Sequence, residues 1–336
     1  MPISLSMLRP GESQRVAAYL QTRSQVLAAM DEIYKRVEIY SSAQIDPASY
    51  KLLGINCRLL ELDDDGKHLH PPNSDPSGPV FFEPRGAAWV PPVVTNSEYM
   101  KQLKGITDGW GNTKNDRLLR SLHSQASYVF SCVEWMFFQF RRQFYPPEDD
   151  RDPPNLRQMS KWLESGEVVP SVVAERFYPA IWGSIRSSPA AVFVPKSLLY
   201  PLGAPPHIMI SILIAEEPSE ELLRLEVMAL AAVMITRLEG EESSEYNTIP
   251  VMVITFFGRM KVRVLEAHTS QQELVIKKTR LLDFSTNELA NKNMNILLGF
   301  MAGDLVGDPK GPTIPTYIPK ACTKDAMDSE STLTIH

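Results

Sequence analysis

Cysteine is scarce: three residues in 336, Cys57, Cys132 and Cys322, lie far apart in the chain. An odd, scattered set supports neither a disulfide framework nor a metal knuckle, and it fits a reducing compartment, so a cytoplasmic location is expected. Long apolar runs are missing as well; none approaches the roughly 18 residues that a membrane-spanning helix needs. The opening MPISLSMLRPGESQR has no basic segment followed by an apolar stretch, so no signal peptide is expected. Positive charge is in short supply: 34 Lys and Arg stand against 40 Asp and Glu, a net charge of −6. That removes the usual electrostatic reason to expect a nucleic-acid partner. No P-loop, Gly-x-Ser-x-Gly elbow, His-Glu-x-x-His or Cys-x-x-Cys occurs, and Gly109-Trp110-Gly111 lacks both a preceding strand and the third glycine of a dinucleotide site. No cofactor and no metal are therefore expected.

Proline is abundant, with 27 residues against 17 glycines, and hydrophobic residues at 43% leave ample material for a core. Residues 13–40 read as an amphipathic helix with Val16, Leu20, Leu27, Met30, Tyr34 and Val37 on one stripe and Ser13 as its N-cap. CRLLEL at 57–62 reads as a short strand and DDDG as a turn. Seven prolines between 71 and 93 exclude a helix or central strand there, yet Val80, Phe81, Phe82 and Trp89 are too apolar for a solvated linker. The expectation is a flap draped over the body. Residues 114–145 read as a helix containing YVFSCVEWMFFQFRRQFY, whose eight aromatics fall on every side, so it is buried or faces a cavity.

Beyond about residue 155 the pattern mixes. Strands are expected at AAVFV, HIMISILIA, IPVMVITFF, KVRVLEAH and ELVIKKT, a strong helix from Ser219 and a last helix over NKNMNILLGFMAG. The fold class that follows is α/β (α+β): a helical, proline-rich N-terminal half over 1–150 packed on a mixed-sheet core over 151–306, with a disordered tail over 307–336. One continuous domain over 13–306 is the alternative division.

From Ser188 to Phe284 the order of elements resembles the core of the PD-(D/E)XK nuclease-like superfamily. The stretch IPVMVITFFGRMKVRVLEAHTSQQELVIKKTRLLDF is also similar to uncharacterised proteins of filamentous ascomycete fungi. The resemblance implies a restriction-endonuclease-like layout with a Pro-Asp pair at one strand start and a Glu-x-Lys triplet on the next, the two carboxylates holding a divalent metal. The matching positions here are Pro189-Ala190 and Ala215-Glu216-Glu217. Both carboxylates and the lysine are missing, which implies a nuclease site that has been lost. Glu216 and Glu217 read more simply as a helix start.

Four further patterns bear on chemistry. Asp63, Asp64 and Asp65 near His68 and His70 form either a metal-ligand pattern or a solvated turn. Asp149, Asp150 and Asp152 invite comparison with metal-binding aspartate clusters, but prolines flank them on both sides and a solvated loop is the favoured reading. His207 at a strand entrance and His268 at the end of an edge strand are acid–base candidates or simply tolerated. Lys261, Arg263, Lys277, Lys278 and Arg280 form a basic strip or the exposed face of an edge hairpin.

The aromatic helix is either core or one wall of an apolar pocket. In the second case Tyr128, Trp135 and Phe138 stack on a ligand, Arg141 or Arg142 anchors it, and the flap closes over it with Trp89. The functional expectation is a fungal accessory protein, or a cofactor-independent enzyme, that encloses an apolar small molecule. A cyclisation or isomerisation step of secondary metabolism fits, because holding a reactive conformer needs no signature motif. The alternative is a catalytically dead nuclease-like module that binds protein or nucleic acid.

Overall fold

The computed structural model describes residues 10–69, 78–94, 101–105, 121–146, 151–160, 162–164, 193–201, 206–240, 245–270 and 272–310. The segment VVPSVVAERFYPAIWGS (168–184), His70, Asp149, Asp150, Pro189-Ala190, Cys322 and the tail from 311 lie outside these residues. The class is α/β, built on a mixed parallel and antiparallel sheet.

Helix α1 spans Pro10–Glu38. It starts earlier than the expected Ser13 cap, because proline is well suited to a first helical turn whose N–H has no partner anyway. Its buried stripe is Thr22, Val26, Met30, Ile33, Tyr34 and Val37, while Val16 and Leu20 stay exposed. A short helix α2 (Tyr50–Leu53) leads through Gly54, in the left-handed region at φ 75°, into strand β1 (Ile55–Leu59). The flap supplies β2 (Phe82–Glu83). Helix α3 (Leu122–Glu134) begins with Ser121 accepting from the Ser124 amide and ends in a π-helical turn over Trp135–Gln139. The expected helix to residue 145 therefore stops short. The Phe140 amide closes the wide turn on the Trp135 carbonyl at 3.1 Å, and the chain then runs extended to pair with the flap and with Asn155. Helix α4 (Leu156–Met159) and β3 (Trp162–Glu164) follow, then β4 (Phe193–Pro201) and β5 (Ile208–Ile214).

Helix α5 (Arg224–Glu239) links β5 to the parallel strand β6 (Val251–Phe257). A tight turn at Arg259 and Met260, both at φ 56°, gives β7 (Lys261–Thr269). Strands β8 (Leu274–Lys278) and β9 (Leu282–Asp283), helix α6 (Asn287–Met301) and β10 (Asp304–Leu305) complete the described chain. The sheet order is β1-β8-β7-β6-β5-β4-β3, with β9 on β7 and a separate β2-β10 pair. Strand β7 is thus flanked on both sides, and His268 does not end an edge strand as the sequence suggests.

One sheet face is covered by α5, which is itself covered by α1. That explains why α5 is apolar on nearly all sides: it is a helix between layers, not on the surface. The other face carries α3, α6 and the flap. Strands β5 and β6 are buried along their whole length and read as continuous apolar runs, as strands covered on both faces do.

The start of α5 is fixed by a buried ion pair. Glu226 accepts from the Leu223 amide at 2.9 Å and from the Thr255 hydroxyl at 2.8 Å. Its carboxylate also pairs with Arg263 on β7, both side chains being fully buried. Arg263 further donates to the carbonyls of Ser219, Glu220 and Glu221. The helix therefore does not start at Ser219 as the sequence suggests; the Ser219 carbonyl accepts from Arg263, and the helix begins after Leu223. Glu216 and Glu217 likewise precede the helix, and Glu217 pairs with Arg259 at 2.7 Å. At the other end, Arg23 of α1 donates to carbonyls of the last turn of α5 and to the Tyr246 carbonyl at 2.6 Å. A guanidinium at a helix C-terminus meets both the open carbonyls and the negative end of the dipole.

Glu226→Ala leaves a buried guanidinium without its counter-charge and is expected to cost about 3–5 kcal/mol in urea unfolding. A Glu226→Leu/Arg263→Met double variant is expected to recover most of that loss, and a failure to recover any would mean that the pair is not the source of the effect.

Candidate functional site

The proline-rich flap is clamped at several points. Val80, Phe81 and Phe82 are buried as the sequence suggests. β2 pairs with β10, and the Val306 amide donates to the Phe81 carbonyl at 3.0 Å. Arg85 makes a two-pronged contact with Asp304 at 2.8 and 3.1 Å. The flap backbone rests directly on α6 at Gly299, where a Cβ would lie 2.9 Å from the Gly86 carbonyl oxygen. Asp65 accepts from the Ala88 amide at 2.7 Å, and Asp63 accepts from the amides of Asp65 and Lys67. The aspartate run is thus a turn that braces the flap. Among the described residues no group of three or more His, Cys, Asp and Glu is placed to hold a metal.

Beneath the flap the otherwise apolar sheet face carries a polar cluster. Glu266 and His268 of β7 alternate onto this face, and Lys277 of β8 lies opposite Glu266 in register. His68, from the small hairpin that follows β1, places Nε2 at 3.0 Å from Glu266 Oε1, and its buried Nδ1 has no hydrogen-bond partner. Lys277 Nζ lies 3.3 Å from the Pro79 carbonyl and 3.4 Å from that of Gly78, so a buried ammonium also holds the flap. Phe81 packs on His268 at 5.1 Å between ring centres, and Phe82 meets His207 edge-on at 5.4 Å.

Burial pushes the His268 imidazole down to about 4, and the neighbouring Lys277 charge adds to the shift. Burial likewise lowers His207 to about 4; the nearby Val306 and Phe81 backbone groups oppose this, but neither ring nitrogen makes a sound hydrogen bond. Both rings are neutral at pH 7.

The five residues expected to line an apolar pocket are spread out. Tyr128, Phe138 and Trp89 are half-buried and pack on the core of the flap side, and Trp89 stacks under the Arg85 guanidinium at 4.4 Å. Trp135 is 49% exposed. Arg142 is buried, with its donors on the Pro91 carbonyl at 3.1 Å and the Met136 carbonyl at 2.6 Å. It ties the flap to the π-helical turn, with burial alone holding its guanidinium down to about 10. Arg141 pairs with Asp152 at 3.2 Å and with Gln158 at 2.9 Å. Neither arginine presents a free anchor to a ligand. The expected basic strip is dispersed in the same way. Arg263 and Lys277 are buried, Lys261 pairs with Asp283, and Lys278 donates to the Glu220 carbonyl.

A cleft of about 330 Å³ lies elsewhere, at the sheet edge where β1 parts from β8. The last rung is the Leu60 amide on the Lys278 carbonyl at 2.7 Å; the chain after β8 then crosses to β9. Leu59, Leu60, Leu62, Leu69 and Leu282 line the cleft, with Glu61 and Arg280 as its charged members. Thr279 also lines it, but its hydroxyl accepts from the Val264 amide and is committed to the sheet. The 59–62 leucines are visible in sequence as a strand. Their partners at 279–282 are distant in the chain, and only the β1–β8 pairing joins the two walls.

No family model, curated protein or solved structure matches this chain. No helix among the described residues is long and apolar enough to cross a membrane.

Two outcomes are expected. His207 and His268 bind protons more readily unfolded, near 6.5, than folded, near 4. Their contribution to stability is therefore complete above about pH 6.5 and is lost as pH falls towards 4. Thermal midpoints measured between pH 7 and 4.5 should fall, and less steeply in His207→Leu; an equal slope in the variant would exclude His207 as a contributor. Arg142→Leu should speed tryptic cleavage at Arg85, because the flap loses its tie to the π-helical turn.

Proposed function

We propose that this chain binds an apolar small molecule in the leucine-lined cleft and acts as an accessory protein, or a cofactor-independent cyclase or isomerase, on that ligand. The observation that carries this reading is the cleft itself. Its volume is at the lower end of the range typical of ligand pockets, and five leucines give it an apolar lining. Leu59 and Leu69 remain 42% and 53% exposed, which leaves apolar surface for a ligand to cover. Full burial of one such side chain contributes roughly 1.5–3 kcal/mol. The proposed setting is secondary metabolism, on the fungal resemblance read from the 249–284 sequence. A cytoplasmic location fits Cys57 and Cys132, which are both free thiols.

The proposed ligand site therefore lies at the β1 edge of the sheet and not beside the aromatic helix, which packs on the inner strands β5 and β6. A nucleic-acid-binding module draws no support from Lys261, Arg263, Lys277, Lys278 and Arg280, since the first four are buried or paired.

Nile red, a neutral apolar dye, is expected to bind the full chain saturably with enhanced fluorescence. Leu69→Asp should weaken binding about tenfold at an unchanged thermal midpoint, and Trp135→Ala should leave it intact. Undiminished binding to Leu69→Asp, or loss with Trp135→Ala, would overturn this assignment.

A further inference from the structure

We infer that the cleft takes a singly charged organic acid: a small molecule with an apolar body and one carboxylate, which Arg280 anchors. The inference rests on the reading of the cleft as a ligand site and adds the class of ligand.

Three observations lead to it. First, Arg280 lines the cleft, is exposed, and has no hydrogen-bond or ion-pair partner among the described residues. Its neighbours differ: Arg259 is held by Glu217, Lys261 by Asp283, and Lys278 by the carbonyl of Glu220. A guanidinium left open beside an apolar lining is a fork of donors without an acceptor. Its planar geometry matches a carboxylate in a two-pronged contact, and it is less strongly hydrated than an ammonium, so it gives up water more readily. Second, five of the eight lining residues are leucines, which favours an alkyl or ring system over a polar body. The volume of about 330 Å³ suits a small molecule, not a peptide segment with its own polar backbone to satisfy.

Third, Glu61 lines the same cleft. Even with a partner of its own, a carboxylate in the lining weighs against a ligand with a second anionic group, since like charges repel. The cleft therefore combines one attraction with one penalty. A monocarboxylate meets Arg280 at modest cost from Glu61. A dicarboxylate or a doubly charged phosphate monoester meets the same arginine at a larger cost. A neutral alcohol meets the leucines alone.

The test is calorimetric titration of the full chain with octanoate and octan-1-ol at pH 7 and low salt, with Nile red displacement as a second readout. Octanoate is expected to bind about tenfold more tightly than octanol. Arg280→Gln should erase that difference by weakening octanoate alone. Glu61→Gln should strengthen octanoate about threefold and leave octanol unchanged. Both residues are exposed, so thermal midpoints of the variants should match that of the parent chain. Equal binding of the two ligands, or a preference that survives Arg280→Gln, would overturn the carboxylate inference while the cleft itself stands. If neither ligand binds or displaces Nile red, the inference fails, and if Nile red also fails to bind, the reading of the cleft fails with it.

Discussion

Everything on the α5 side of the sheet is organised around one buried charge pair. Arg263 and Glu226 are both excluded from solvent, and an isolated charge there would cost many kcal/mol. The pair is tolerated because every strong donor and acceptor is used. Glu226 takes an amide, a hydroxyl and the guanidinium, and Arg263 takes three backbone carbonyls besides. Those carbonyls belong to the chain entering α5, so the pair fixes where the helix starts and how it lies over β6 and β7. Arg23 completes the arrangement at the other end. A helix with almost no exposed face has no water to satisfy its ends: Arg23 donates to the carbonyls of its last turn, and Glu226 accepts from the amide at its entrance.

The flap side follows a different logic. There the sheet face is polar at Glu266, His268 and Lys277, and the covering segment supplies the missing partners: carbonyls of Gly78 and Pro79, and the rings of Phe81 and Phe82. Proline-rich sequence suits this position. It cannot donate to a ladder, yet its carbonyls remain available, and the buried Lys277 and Arg142 both use them. The result is a cover bonded through its own backbone to the cations beneath it.

Much of this fold is legible in the sequence. IPVMVITFF and HIMISILIA are apolar on both alternating faces but for Thr255, His207 and Ser211, which a doubly covered strand explains, and the flap's Val80, Phe81 and Phe82 are buried as their chemistry demands. Strand β7 is the instructive failure. The alternating KVRVLEAH resembles an edge hairpin with one wet face, yet it lies inside the sheet. The charges that suggest solvent are matched by Glu226 and His68, from two separate parts of the chain, and no local pattern can reveal such a match. The aromatic stretch fails for a related reason. Its rings do fill a core, but Arg142 turns inward to bond the flap and Trp135 turns out. The cleft was invisible because its two walls meet only through the pairing of β1 with β8.

That pairing also sets a timetable. Strand β1 leaves the ribosome early, and among the described strands only β8 pairs with it, so Ile55 has to wait for Leu274 before its backbone is satisfied. Until then the segment is an unclaimed strand, open to pairing with whatever extended chain it meets. Neighbouring strands such as β6 and β7 can zip up as soon as they emerge, whereas the edge bearing the cleft can form only after nearly the whole sheet has been made. The cleft is consequently a late product of folding, and its presence reports that an early and a late segment of the chain have found each other.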